Sequence, residues 1–360
     1  MAAASFRALI AALVVCGTVI AAQGPGPNPD MAIDAATRTA VIDGALKALN
    51  DYYVFPDVAA KMAAAITARQ QRHEYDAITS ARALAETLTT HLRDVSQDKH
   101  LSVGYSANVL PPQQPPAARP TPEMMERMRT AMAQANFGFE RIERLAGNIG
   151  YLDLRAFMPP DLIGDTTAAA MTFLASTEAL IIDLRQNGGG TPDGVALIAS
   201  YLFGPQPERL NDIYDRPSDQ TRQYWTQPYV PGKRFTGKDV YLLTSTRTFS
   251  GAEDFSYALK NLKRAVIVGE VTGGGAHPGG PRRITDHFFV GVPSGRSISS
   301  ITHTDWEGTG VEPDVKVAAA RALATAHLMA LEKRLPSVTD PRMKAEITTA
   351  IERLKAELGS

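Results

Sequence analysis

Apolar and polar positions follow several rhythms along this chain, and the changes of rhythm mark its parts. From Ile33 to about Leu92, Ala, Leu, Ile and Met recur at three- and four-residue spacing. The pattern breaks at NDYYVFPD and again at HEYDAITS. That period belongs to amphipathic helices and predicts three of them, over roughly 34–50, 57–72 and 79–93. LSVGY, from Leu101 to Tyr105, then alternates as a short strand does. Residues 106–122 carry too many prolines for regular structure, and a Met- and Arg-rich helix is expected over about 122–134.

Near Gly147 the rhythm changes. GNIGYLDLRAF, ALIIDL, Val240 to Leu243 and Ala265 to Val268 are short, mostly apolar runs. Helical patterns separate them, over about 160–175, 192–202 and 250–262. Short apolar runs alternating with helices predict buried strands in an α/β core. Residues 205–238 interrupt the pattern with a long polar excursion containing Tyr214, Tyr224, Trp225 and Tyr229, in the manner of a substrate lid or binding loop. HFFVGVPSGRSISS reads as a hairpin, and HTDWEGTGVEPDVKV closes the core. Two charged helices, expected over about 318–333 and 340–357, read as solvated. The predicted organisation is an N-terminal helical domain over 30–105, a Pro-rich linker with one helix over 106–146, a core over 147–317 and C-terminal helices over 318–358. No internal repeat is visible.

Composition narrows the function. Hydrophobic content of 44% with 21% charged residues is that of a globular chain. A formal net charge of -1 without a long basic run argues against nucleic-acid binding. One cysteine allows no disulfide framework and no metal cluster, so neither metal nor cofactor is expected. At the N-terminus, Arg7 precedes an apolar run from Ala8 to Ala22, followed by Gln23 and GPGPNPD. This is the layout of a signal peptide over 1–22, cut near Ala21 or Ala22, and the run is too short for a good membrane span. An exported protein, periplasmic or secreted, is expected. Its mature form would lack Cys16.

The chemistry concentrates between Asp239 and Gly280, in DVYLLTSTRTFSGAEDFSYALKNLKRAVIVGEVTGGGAHPGG. Strand, turn, serine, helix is the layout that sets a nucleophile at a helix N-terminus, with Ser250 at the turn. Free backbone N–H groups there can stabilise negative charge. Ser-Gly-Ala-Glu also matches a plain capping box, with Glu253 reaching back. A second candidate is Arg185-Gln-Asn-Gly-Gly-Gly190-Thr-Pro-Asp193, a Gly-rich turn between a strand and a helix that starts near Pro192. It lacks both the P-loop ending and GxGxxG. His100 stands at the start of a strand, where a surface role would be ordinary. His287 and His303 have no arguable partner, and His73, His91 and His327 read as surface helix positions.

LIIDLRQNGGG, TFSGAEDFSYALKNLKRAVIVGEVTGGGAHPGG and WEGTGVEPD together resemble the tail-specific, or C-terminal processing, serine proteases. The likeness is greatest to the branch that includes interphotoreceptor retinoid-binding protein. It covers about residues 94–105 and 147–317. It implies an α/β core related to the ClpP and crotonase folds. Many members carry a PDZ domain before that core, and the segment between Tyr105 and Gly147 leaves no room for one. Many also use a lysine base, and the matching position here is Gly275. A further branch, similar to the tricorn protease core, uses serine, histidine and glutamate. The matches are Ser250, His100 in DKHLSV and Glu307 in WEGTGVEPD.

That set is chemically coherent. A serine hydroxyl needs a base, histidine titrates in the right range, and a carboxylate fixes its tautomer. The resemblance further implies an oxyanion hole from the N–H of Gly251 and that of Gly188 or Gly189. His277, near the missing lysine, is a rival base. The expected function is an exported serine endopeptidase acting on peptide or protein substrates in extended form. Two alternatives remain: a non-catalytic binding module for a hydrophobic ligand, as in the retinoid-binding relative, and an acyl-transfer enzyme of another kind. Oligomeric state is not legible.

Overall fold

The computed structural model describes residues 28–113 and 121–359; the predicted signal peptide lies outside them. Three helices come first: α1 (Ala35–Tyr52), α2 (Pro56–Gln71) and α3 (Ala81–Ser96). Asp34 and Ser80 cap the first and third, each accepting the backbone N–H three residues on. Strand β1 (Ser102–Tyr105) and helix α4 (Pro122–Ala133) follow. The central stretch is β2 (Phe139–Leu145), β3 (Ile149–Leu154), α5 (Pro160–Leu174), β4 (Ala179–Asp183), α6 (Pro192–Ser200), β5 (Arg209–Asp215), β6 (Gln220–Trp225), β7 (Asp239–Thr244), α7 (Gly251–Asn261) and β8 (Val266–Gly269). The chain ends with β9 (Gly279–Arg283), β10 (Phe288–Pro293), β11 (Gly295–Ser299), β12 (Val315–Lys316), α8 (Ala319–Arg334) and α9 (Pro341–Gly359).

The chain divides into two compact units. Among the described residues, one holds 28–131 together with Pro278–Gly295, and the other holds Met132–His277 and 296–359. In the first unit, β1 pairs antiparallel with β10, and β10 with β9. Phe288, Val290 and Val292 alternate along β10 and pack with buried apolar side chains of α1, α2 and α3. The expected hairpin over 287–300 is therefore not formed. β10 pairs with β1 and β9, while β11 joins β5 and β6 in a separate sheet. Ser294 and Gly295 part the two strands, both donating to Pro278 O. Without cross-strand information, alternation alone cannot say which neighbour a strand takes.

The second unit is built on a six-stranded sheet in the order β12-β8-β7-β4-β3-β2. All its pairings are parallel except that of the edge strand β2, which runs antiparallel to β3. β3 and β4 are buried throughout, the burial that apolar strands require when both faces of a parallel sheet are covered. Ile149, Tyr151, Ala179, Ile181, Tyr241, Leu243 and Val268 share a core with α8 and α9. These last helices are thus packed on the sheet rather than solvated. Ala322, Ala326 and Ala330 of α8 are buried in that core. Among the described residues no helix is long and apolar enough to cross a membrane.

The excursion over 205–238 is more ordered than a loop. β5 and β6 pair as a hairpin and extend to β11. Tyr224 is buried, whereas Tyr229 is 75% exposed. His327 also departs from expectation. It is buried on α8 and donates from Nε2 to Ala146 O at 2.9 Å. Burial holds its pKa below the ordinary histidine range. The unfolded chain takes up a proton that the folded chain resists, so this site's contribution to stability is full above the ordinary value and is lost as pH falls through it. His327→Gln can keep the bond to Ala146 without the titration. Calorimetry between about pH 7.5 and about pH 5.5 should show a smaller loss of melting temperature in the variant than in the native protein. Equal losses would mean that the imidazole titrates freely.

Candidate active site

Three turns hang from the carboxyl ends of three neighbouring parallel strands: residues 184–191 after β4, 245–250 after β7 and 270–277 after β8. In an open α/β sheet this edge is where ligands bind, because strand ends deliver loops there side by side. The β7 turn is fastened by hydroxyls. Thr248 Oγ1 donates to Leu184 O at 2.8 Å and Ser245 Oγ to Arg185 O at 2.6 Å. Phe249 N–H donates to Asn187 O at 3.1 Å. These bonds tie the serine turn to the glycine turn before any substrate is considered.

Ser250 sits half-buried at the head of α7 with φ 53° and ψ -119°. That backbone region suits the first central position of a type II′ turn, where glycine is the usual residue. A non-glycine residue held there costs on the order of 1–3 kcal/mol, and such strain clusters at functional sites. Ser250 O accepts from Glu253 N at 2.8 Å and from Asp254 N at 2.9 Å.

The glycine turn fits tightly beneath it. A Cβ on Gly189 would lie 2.7 Å from Gly251 N and 2.8 Å from Ser250 Cβ. A Cβ on Gly190 would lie 2.0 Å from Phe157 O. Glycine is required at both positions by close backbone approach, and both have positive φ. Asn187, fully buried, shapes the turn. Its Nδ2 donates to Leu154 O at 2.9 Å, and its Oδ1 accepts from Gly189 N at 2.8 Å. Of the two glycines considered for the oxyanion hole in this turn, Gly189 thus has its N–H directed to Asn187.

Glu253 links the serine turn to the third loop. It is wholly buried and accepts four hydrogen bonds: Ser250 N at 2.8 Å, Thr272 Oγ1 at 2.5 Å, Gly274 N at 2.6 Å and Gly275 N at 2.9 Å. Burial raises its pKa, and the four donors oppose that rise. Gly275 is buried, and its carbonyl accepts from Trp306 Nε1 at 2.8 Å. The closing segment locks on alongside: Val311 N donates to Thr272 Oγ1 at 2.7 Å and Gly308 N to Gly274 O at 3.2 Å.

This loop brings His277 to Glu307. His277 is 6% exposed, and its Nδ1 lies 3.5 Å from Glu307 Oε2, which also accepts from Ala276 N. Ser250, Gly188, Gly189, Gly251, His277 and Glu307 all belong to the second unit. His100 belongs to the first. It is half-buried just before β1, and its backbone N–H donates to Asp98 Oδ1 at 3.0 Å. Asp98 is itself buried and accepts from Tyr53 OH at 3.2 Å.

Two residues of this site have no distinctive signal in sequence. Asn187 looked like an ordinary turn residue. Thr272 carried no signal, since its two bonds go to residues distant along the chain. Glu253 was noticed only as a cap, and its reach to the glycine loop could not be read from a local motif.

Two family models match the chain: peptidase family S41 over residues 148–317, and the N-terminal domain of peptidase S41 in eukaryotic IRBP over residues 35–138. Among curated proteins, the chain is similar to the chloroplastic carboxyl-terminal-processing peptidase 2 of Arabidopsis thaliana. They are 26% identical over 173 residues, which is 46% of this chain and 31% of the relative. It is also similar to the tail-specific protease of Haemophilus influenzae, 31% identical over 103 residues, 27% of this chain and 13% of the relative. The chain thus spans less than a third of these relatives' length. Among solved structures, a lipoprotein from Streptococcus agalactiae shares the fold with a TM-score of 0.56 at 13% identity, covering 82% of this chain and 96% of that one.

The Glu253 cluster is testable without any substrate. Glu253→Gln keeps the shape but replaces one acceptor oxygen by an NH2 donor facing N–H groups. Leaving a buried donor unsatisfied costs about 1–3 kcal/mol. Denaturant unfolding should show a loss of at least about that size, with the slope unchanged. A variant as stable as the native protein would show that the four bonds contribute nothing net.

Proposed function

The chain belongs to peptidase family S41, and on that premise we propose that it is an exported serine endopeptidase acting on peptide or protein substrates. The observation that carries the reading is the backbone of Ser250. A serine held at φ 53° at a helix N-terminus, over a turn of obligatory glycines, is hard to account for as a cap alone. In this reading Ser250 Oγ attacks the scissile carbonyl. Gly251 N–H and Gly188 N–H receive the developing oxyanion, with each such donor worth about 3–4 kcal/mol. Gly189, engaged by Asn187, holds the turn in shape.

The base is a histidine, because the family's lysine position is Gly275. His100 is the proposed base, by its match to relatives that use histidine, with Glu307 as the supporting carboxylate. A second reading has one observation in its favour: His277 Nδ1 lies 3.5 Å from Glu307 Oε2, the contact expected of a base and its orienting carboxylate.

Mutagenesis separates these roles. Ser250→Ala should lower peptide turnover by several orders of magnitude and abolish labelling by a fluorophosphonate probe. Activity within about tenfold of the native protein would end the nucleophile assignment. A native protein that neither labels nor cleaves would favour the non-catalytic binding module. His100→Ala should lose nearly as much as Ser250→Ala, with the double variant little worse, since the two act as a unit. The reverse ranking, with His277→Ala inactive and His100→Ala active, would move the base into the glycine loop. Export has its own check: N-terminal sequencing of secreted material should begin shortly after Ala21, and a chain still starting at Met1 or Ala2 in the membrane would refute it.

A further inference from the structure

One turn of α7 beyond Ser250 lies a carboxylate that the mechanism does not use. Asp254 is half-buried, and one of its oxygens accepts from Asn211 Nδ2 at 2.6 Å. The same nitrogen lies 3.1 Å from Asp254 O, which fixes the amide against the start of α7. Asn211 is only 2% exposed, and its Oδ1 is shut off from solvent with no hydrogen-bond partner. A buried amide oxygen left without a donor is uncommon and calls for an explanation. Two acceptor groups therefore stand together, and no ion pair joins Asp254 to a cation among the described residues.

Acidic groups on α6 and β5 have cationic partners. Asp193 of α6 pairs with Arg222 of β6 at 2.6 Å. That guanidinium lies over the Tyr224 ring at 4.7 Å from its centre. Asp212 of β5 is paired with Arg209. On α7 itself, Glu253 is turned to the glycine loop. Asp193 and Asp212 are thus each paired with an arginine, and Asp254 is not.

We infer that Asp254 and Asn211 form a subsite for a cationic side chain, lysine or arginine, of the bound peptide. This rests on the peptidase reading for the identity of its ligand. An ammonium or guanidinium supplies N–H donors to the Asp254 oxygen that Asn211 leaves open, and its charge offsets the burial of the carboxylate. Asn211 acts as the positioning residue, holding the Asp254 carboxylate through one oxygen and leaving the other for the ligand. Asp254 lies one helical turn from Ser250, so the cation it takes belongs to a residue near the scissile bond. Burial also pushes the Asp254 carboxyl up to about 6, with the Asn211 bond opposing. The carboxylate is thus present above that pH and lost below it. Selectivity for a cation should follow the same direction.

The test uses binding, so that it does not depend on turnover. The full-length Ser250→Ala protein is titrated with fluorescent peptides in which a single lysine is moved stepwise along a neutral host. Each peptide is paired with its Nε-acetyl-lysine counterpart. At one register the lysine peptide should bind about tenfold or more tighter at pH near 8, and the ratio should fall toward one near pH 5. Adding Asp254→Asn should remove the ratio at the higher pH. A ratio near one at every register overturns the inference, as does a preference that survives Asp254→Asn. Should Asp254→Asn fail to fold, the pH dependence and the acetyl contrast decide the matter in the Ser250→Ala protein. If native protein cleaves none of these peptides while the lysine preference is seen, the peptidase reading fails and the subsite stands.

Discussion

The carboxylate of Glu253 is the point on which the serine end of this protein depends. Four donors from two separate loops converge on it in a place water does not reach. Burying a charge without partners is prohibitive, and a carboxylate has no donor to offer. The loops must therefore bring donors to it, and in doing so they take up fixed positions. The N–H of Ser250 and those of Gly274 and Gly275 are aimed by the same group. A cap motif has become the anchor of a site, because its glutamate points into the glycine loop as well as back along the helix.

Around that anchor the design is one of close backbone approach. The glycine turn after β4, the serine turn after β7 and the glycine loop after β8 leave no room for a Cβ at Gly189 or Gly190 and little at Gly274. Hydroxyls of Thr248, Ser245 and Thr272 replace what longer side chains would otherwise do, bonding neighbouring carbonyls and amides at short range. The strained backbone of Ser250 persists because these contacts over-determine it. Replacement by glycine would relieve that strain and remove the hydroxyl in one step, so local stability and the proposed chemistry pull in opposite directions here.

Much of this was legible in the chain. Short apolar runs separated by helical patterns announced the parallel strands, since residues buried on both faces cannot alternate. The strand–turn–serine–helix order and the triple glycine marked the two turns that the sheet then brings together. The remainder depended on partners far away in sequence. β10 and β11 look like one hairpin locally, yet they serve different sheets. His327 reads as one more polar residue on a charged helix, and only the carbonyl of Ala146 makes its burial intelligible. Thr272 has no local signature, because both its bonds go to distant residues, and Asn187 shows in sequence only as a turn residue, since its bond to Leu154 O depends on the fold.

The return of Pro278–Gly295 to the first unit bears on how the chain is made. β1 has β10 as its neighbour in the sheet, and Phe288, Val290 and Val292 complete the core of α1, α2 and α3. A ribosome delivers the three helices early, but the strand that closes their core emerges only after most of the second unit. The N-terminal helices must wait with apolar surface uncovered, in a state that depends on contacts of long sequence separation. For a protein proposed to be exported, that delay is an asset wherever export needs an unfolded chain: one that cannot finish its first unit early stays threadable for longer.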